Sequence, residues 1–267
     1  MASIAMDVPD RQVSIGRVFG RAFGTIGSNP VTTLGVAFLF SALPSTLVNL
    51  AIRQVRGTDL SQMSVATNLA LTMISAVLGI AFYAIVQGAL VRSTVEHEEG
   101  RHPGLGESIM AGLVVAIPLI LMAIISGIAM MFGILLLVVP GVILYLMWSV
   151  SAPALVDERL SIMGALGRSR YLTRGYRWRI FGMVLVLVVL SWLAMALMTT
   201  LVVAGGSFSL QAMAKAQQDP SIMAIAVLLI MQTLISVVSG VSHASLFVEL
   251  RNAKDGPSDA ALADVFR

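Results

Sequence analysis

Residues 157–181 read D-E-R-L-S-I-M-G-A-L-G-R-S-R-Y-L-T-R-G-Y-R-W-R-I-F. Six of the chain's 17 Lys and Arg fall in this stretch: Arg159, Arg168, Arg170, Arg174, Arg177 and Arg179. Long apolar runs flank it on both sides. A basic segment between two membrane-length apolar runs sets which side of a bilayer it faces, because Lys and Arg are kept on the cytoplasmic side. The orientation of every other segment follows from it.

Composition points the same way. The chain has 267 residues, 57% apolar and 12% charged, where soluble domains carry about 25% charged residues. The charges are segregated, and long stretches hold none. That combination describes a membrane protein rather than a soluble core. The net charge of +3 rests mostly on arginine, whose planar fork suits phosphate head groups. The absence of cysteine excludes disulfides, thiolate metal sites and Cys nucleophiles. With only His97, His102 and His243, no His-rich metal site is available. No metal and no cofactor are expected.

Residues 1–10 are weakly patterned and read as a flexible N-terminus. After them Ile15, Val18, Phe19, Ala22, Phe23 and Ile26 recur at helical spacing, with Arg17 and Arg21 on another face. That pattern predicts an amphipathic helix lying in the membrane interface, anchored by the two arginines. Six spans follow, each about the 20 residues a crossing needs: 31–52, 69–91, 113–138, 140–156, 180–204 and 221–248. Pro44 and Pro118 lie inside the first and third, where a kink is expected. Summed by connection, 14 Lys and Arg fall on one side and 3 on the other. Both termini are then cytoplasmic and the outer loops are short. The fold class is an all-α integral membrane protein of about six transmembrane helices, with interfacial helices on the cytoplasmic side. Residues 11–250 form the membrane domain and 251–267 a cytoplasmic tail, in which Ser258 is positioned to cap a short helix.

A threefold repeat of interfacial helix, span, span is suggested. Ser14-Ile15-Gly16, Ser108-Ile109-Met110 and Ser161-Ile162-Met163 each open a segment leading into an odd-numbered span. Inside the spans there is no Asp, Glu, Lys or Arg. A charge kept at mid-membrane usually marks an ion or proton path, so the pattern argues against a proton-coupled transporter, a pump or a voltage sensor. Asn49, Gln87, Gln232 and His243 enter, with small residues such as Ser75, Gly79, Ser191, Ser236, Ser239 and Gly240. They serve interhelical hydrogen bonding and close packing, or else line a polar path. Glu96, Glu98, Glu99 and Glu107 with His97 and His102 form an acidic cluster whose spacing matches no helix-borne metal motif, so it reads as a solvated loop.

The basic stretch is the best candidate surface. Ser161 is placed to cap a helix, with Asp157 and Glu158 just ahead of it. Arg170, Arg174 and Arg177 fall at i, i+4 and i+7, which on one continuous helix would share a face. Tyr171 and Trp178 are interface anchors. Two uses are open: nonspecific grip on anionic lipid, or a specific site for phosphate or an acidic partner, formed by Arg168, Arg170, Arg174, Arg177 and Arg179. Asp157 or Glu158 is also able to pair with Arg159 or Arg168 and fix the loop's shape. Nucleic-acid binding is not expected, because no basic domain with interleaved aromatics exists beyond this stretch.

The run P-G-V-I-L-Y-L-M-W-S-V-S-A-P-A-L-V-D-E, followed by A-L-G-R-S-R-Y-L-T-R-G-Y-R-W-R-I-F-G, resembles a bacterial membrane family, the glycerophosphoryl diester phosphodiesterase membrane domain. The matching elements are Pro140-Gly141, Pro153, Glu158, Ala165-Leu166, Arg168-Ser169, Leu172-Thr173, Gly175, Trp178-Arg179 and Gly182. The resemblance implies an all-helical membrane module, which in some members sits beside a soluble phosphodiesterase barrel. No alternating strand-and-helix pattern here matches such a barrel, so the enzymatic activity does not carry over. The leading expectation is a non-enzymatic inner-membrane module that binds phospholipid, most naturally anionic phospholipid, or a membrane protein partner. The alternatives are a transporter or flippase for a lipid or other apolar molecule, and a membrane-embedded enzyme using Glu158 and His243.

Overall fold

The computed structural model describes residues 13–56, 64–98, 104–203 and 221–256. The expected flexible N-terminus and the Ser258 cap lie outside them. Among the described residues, 92% are helical and none lies in a strand. Six helical stretches are long and apolar enough to cross a membrane: Pro30–Gln54, Val65–His97, Leu105–Leu136, Val138–Asp157, Arg177–Leu197 and Ile222–Asp255. The all-α multi-pass reading of the sequence therefore holds.

The amphipathic helix α1 spans Ile15–Ser28 and buries Val18, Ala22 and Thr25. Asn29 then restarts the chain. Its side chain accepts from the Thr32 amide, and Pro30 fills the first helical position, where its missing N–H is no loss. The first span is composite: α2 (Pro30–Ala37), a π-helical turn (Phe38–Ala42) and α3 (Leu43–Arg56). Pro44 lies just past that turn, one residue into α3. A proline ring collides with the carbonyl four residues back, and the wider π turn ends at Ala42, two residues before it, with Leu43 N–H bonded to the Phe38 carbonyl. By contrast α5 (Leu105–Leu136) runs uninterrupted through Pro118.

The longest helices are α4 (Val65–Glu98), α5 and the last helix, α10 (Ile222–Asp255). α4 and α5 make the most extensive contact between helices. Small residues allow it. A Cβ on Gly112 would stand 2.4 Å from the Ile85 carbonyl oxygen, and one on Gly88 would stand 2.9 Å from the Gly112 Cα. Without a hydrophobic drive between helices in lipid, such close backbone approach is what holds them. A single extended residue, Leu137, links α5 to α6 (Val138–Trp148). The fourth span breaks at Ser149-Val150 and resumes as α7 (Ser151–Asp157), with Pro153 in its first turn. Then come α8 (Ile162–Thr173) and α9 (Arg177–Val203).

At 1.5 Å per residue, α10 is about 51 Å long, well beyond the ~30 Å hydrocarbon core. The excess enters the arginine-rich end of the bundle, where every residue from Val241 to Leu250 except His243 is buried. The main core lies at this end. Val18, Val91, Val95, Leu155, Leu166, Leu172, Ile180, Phe247 and Leu250 join α1, α4, α7, α8, α9 and α10.

The repeat is only partly realised. α1 and α8 are separate short helices ahead of the first and fifth spans, but Ser108 sits inside α5. The middle unit has its leading segment fused to its span, the helix running unbroken from Leu105 through Gly106, Gly112 and Pro118.

Candidate functional site

The charged residues of the arginine-rich end are mostly engaged with one another. Glu249, with a side chain 8% exposed, receives Arg17 Nε at 2.7 Å and Arg21 Nη1 at 3.3 Å. α1 is thereby tied to α10. Arg251 pairs with Asp157, tying α10 to α7. Arg168 faces Glu158 with two nitrogens, at 2.8–2.9 Å, and also pairs with Asp255. Hydrogen bonding to Glu158 pushes the Arg168 pKa up, burial opposes it, and Asp255 adds to the rise. The guanidinium stays charged at any working pH.

Neighbouring polar groups have equally local tasks. The Ser161 side chain accepts from the Gly164 amide and starts α8, as the sequence predicts. The break after α6 leaves its last carbonyls without helical donors. Ser169 Oγ donates to the Met147 carbonyl at 2.8 Å and fills that gap from α8. Arg179 Nη1 donates to the Val13 carbonyl at 3.0 Å. Hence several residues that carry the family resemblance hold the architecture together: Glu158 with Arg168, Ser169, Arg179, and Gly175, whose φ of +94° turns the chain from α8 to α9.

This divides the predicted arginine site. Arg168 and Arg179 are structural. Arg17 and Arg21, expected as interface anchors, both bind Glu249, Arg17 with its side chain still 57% exposed. Arg170, Arg174 and Arg177 have no ion-pair partner among the described residues. They do not share one helical face, because α8 ends at Thr173. Arg174 is its extended C-cap, and Arg177 opens α9. The i, i+4, i+7 spacing fails as a face because Gly175 supplies a turn that an uninterrupted helix has no place for. The three arginines instead sit on either side of a corner, beside Trp178, which is 85% exposed and edge-on to Phe181. Tyr171 is overlaid by Arg168 and Lys254 at 5.7 and 5.6 Å, so it packs with cations as well as meeting the surface.

The acidic cluster disperses. Glu96 pairs with Arg92 one turn away, and His97 Nδ1 lies 3.2 Å from Ser28 Oγ. Glu99 and His102 lie outside the described residues. No group of three metal-type ligands occurs among the described residues. Glu158 and His243 are not brought together: Glu158 is held by Arg168, while His243 contacts the Ser239 carbonyl and lines a hollow with Tyr145 and Trp192.

Two cavities were not legible in the sequence as sites. One, of about 480 Å³, lies at membrane depth between α3, α4 and α10 and gathers Ser41, Asn49, Thr72, Ser75, Gln232 and Ser236. Four of these are the polar residues that looked scattered along the chain. Most of the hydroxyls are satisfied by their own helix; Ser45, for example, bonds the Ser41 carbonyl and accepts nothing from across the cavity. The other is a cleft of about 1050 Å³ at the arginine-rich end, between α4, α5 and the α7–α8 connection. Arg92, Glu96, Glu107 and Arg159 surround its mouth, and Met110, Val114, Pro118 and Leu155 its walls. The α4 residues lining the two cavities point about 120° apart round the helix at 100° per residue. In comparisons with family models, curated proteins and solved structures, nothing matches the chain.

Proposed function

We propose that this chain is a non-enzymatic module of the bacterial inner membrane, with both termini cytoplasmic, that binds anionic phospholipid head groups through Arg170, Arg174 and Arg177. The observation that carries the reading is the division of the arginines. Arg17, Arg21, Arg168, Arg179 and Arg251 have protein partners, while these three remain open beside an exposed tryptophan. Arg177 begins the fifth apolar helix, and a head-group position for the corner follows if that helix spans the bilayer. Each Arg near an anionic surface contributes about 1 kcal/mol, so the three together favour anionic lipid by roughly a hundredfold. An acidic membrane partner would be met by the same chemistry. Membership of the family resembled above is part of this proposal, supported by the structural use of the matching residues.

Native mass spectrometry of the full chain from a lipid-preserving polymer tests it. Replacing all three arginines with Gln is expected to remove retained phosphatidylglycerol while the fold persists. Unchanged retention in a folded triple variant sinks the reading. Transport of a lipid or apolar molecule is the second reading, supported by the polar cavity at membrane depth. A leucine at Gln232 that abolishes transport without altering lipid retention would favour it.

A further inference from the structure

We infer that the cleft between α4, α5 and the α7–α8 connection is a separate binding site for one zwitterionic aminophospholipid, with its phosphate on Arg159 and its ammonium on Glu107.

The charges at the mouth come in two sets. Arg92 and Glu96 satisfy each other. Arg159 and Glu107 do not. Arg159 has no ion-pair or hydrogen-bond partner among the described residues, and Glu107 accepts only from the Gly104 amide, at 3.2 Å, as part of a helix cap. Both are exposed and line the same cleft. One open cation and one open anion at one mouth match a head group that carries both signs. An anionic lipid would satisfy Arg159 and be repelled by Glu107.

The backbone at Arg159 gives independent support. Its φ is +49°, the only positive value at a non-glycine position among the described residues. An arginine in the left-handed region is strained, and such strain persists where the surroundings over-determine it. Here the strained residue is the cation lining the cleft, and it directly follows Asp157 and Glu158, which are held by Arg251 and Arg168.

Depth completes the match. Pro118 lies about 16 Å along α5 from Glu107 at 1.5 Å per residue. Over that distance the lining changes from charged to apolar, through Met110, Ala111, Val114 and Val115. Val114 is 73% exposed on a membrane-spanning helix, so the cleft is reached from the side where acyl chains lie. The site is distinct from the Arg170–Arg174–Arg177 corner in position and in ligand charge.

The experiment titrates the full chain, in detergent, with phosphatidylethanolamine, phosphatidylcholine or phosphatidylglycerol and counts bound copies by native mass spectrometry. One copy of phosphatidylethanolamine is expected to bind about tenfold or more tightly than either competitor, the scale of a hydrogen-bonded charge contact. Arg159→Asn suits the left-handed backbone, so it should keep the melting temperature and lose that copy. Glu107→Gln should erase the preference for phosphatidylethanolamine over phosphatidylglycerol while leaving phosphate binding. The Arg170, Arg174, Arg177→Gln variant should lose phosphatidylglycerol and keep the single phosphatidylethanolamine. Equal or tighter binding of phosphatidylglycerol to this site in the unaltered protein, or unchanged phosphatidylethanolamine binding in folded Arg159→Asn, overturns the inference.

Discussion

The two ends of this bundle are built on different physics. At the arginine-rich end the helices close on a core like that of a soluble domain. Phe247, Leu172 and Ile180 are fully buried there, ringed by ion pairs that join α1, α7, α8 and α10. Across the membrane half, large apolar side chains such as Leu136, Trp192 and Ile222 face outward. Helix contact in that half depends on glycines brought together, as at Gly133 and Gly141. Water drives burial at the first end, whereas lipid tails offer no such drive at the second. The difference concentrates the ion pairs and the closed core at one end and leaves the outer faces of the spans apolar.

Substitutions should separate the two regimes. The largest effect is expected from Phe247→Ala, a fully buried ring in the closed end, at about 3–5 kcal/mol of destabilisation. Thermal unfolding in detergent reads it. Trp192→Ala, a ring 75% exposed in the membrane half, should change the same transition by less than about 0.5 kcal/mol. Equal losses at both positions would erase the distinction drawn above. Gly112→Leu comes next, because its Cβ has no room against the Ile85 carbonyl. Overpacking of that kind costs about 1–3 kcal/mol, and crosslinking between α4 and α5 would report the separation. Glu249→Gln strips two arginines of their shared partner and should cost about 1.5–3 kcal/mol. A double cycle of Glu158→Gln with Arg168→Gln should be non-additive by about 0.5–3 kcal/mol. Gln232→Leu in the polar cavity should also cost little, near the ~0.6 kcal/mol typical of polar contacts between membrane helices.

Much of this was readable in advance. Apolar run length located all six spans, though some ends, such as the start of the helix at Leu105, lie well outside the apolar runs, because a bilayer imposes a minimum length on a helix that crosses it but does not end it at the hydrocarbon edge. Ser161 announced the start of α8 and α1 showed its amphipathic period. The fate of the arginines was not readable. Arg168 and Arg170 differ by two positions in sequence, yet one is clamped by carboxylates from two elements and the other is open. The partners Asp255 and Glu249 lie 87 and 232 residues from the arginines they bind. Spacing within a segment carries no information about such meetings. The cleft was hidden for the same reason. Its two open charges, Glu107 and Arg159, belong to different connections, and one sat in what looked like a solvated acidic loop.

The sequence by itself determined that this is a helical membrane protein, where its spans lie, and which connection concentrates the positive charge. These follow from local composition and period, which the bilayer reads one segment at a time. The tertiary structure alone decided which arginines are structural and which remain available, that Gly175 divides the basic stretch between two helices, and that polar residues from separate spans line common cavities. Those outcomes depend on which helix faces meet, and in lipid a buried apolar face and an exposed one are written in the same residues.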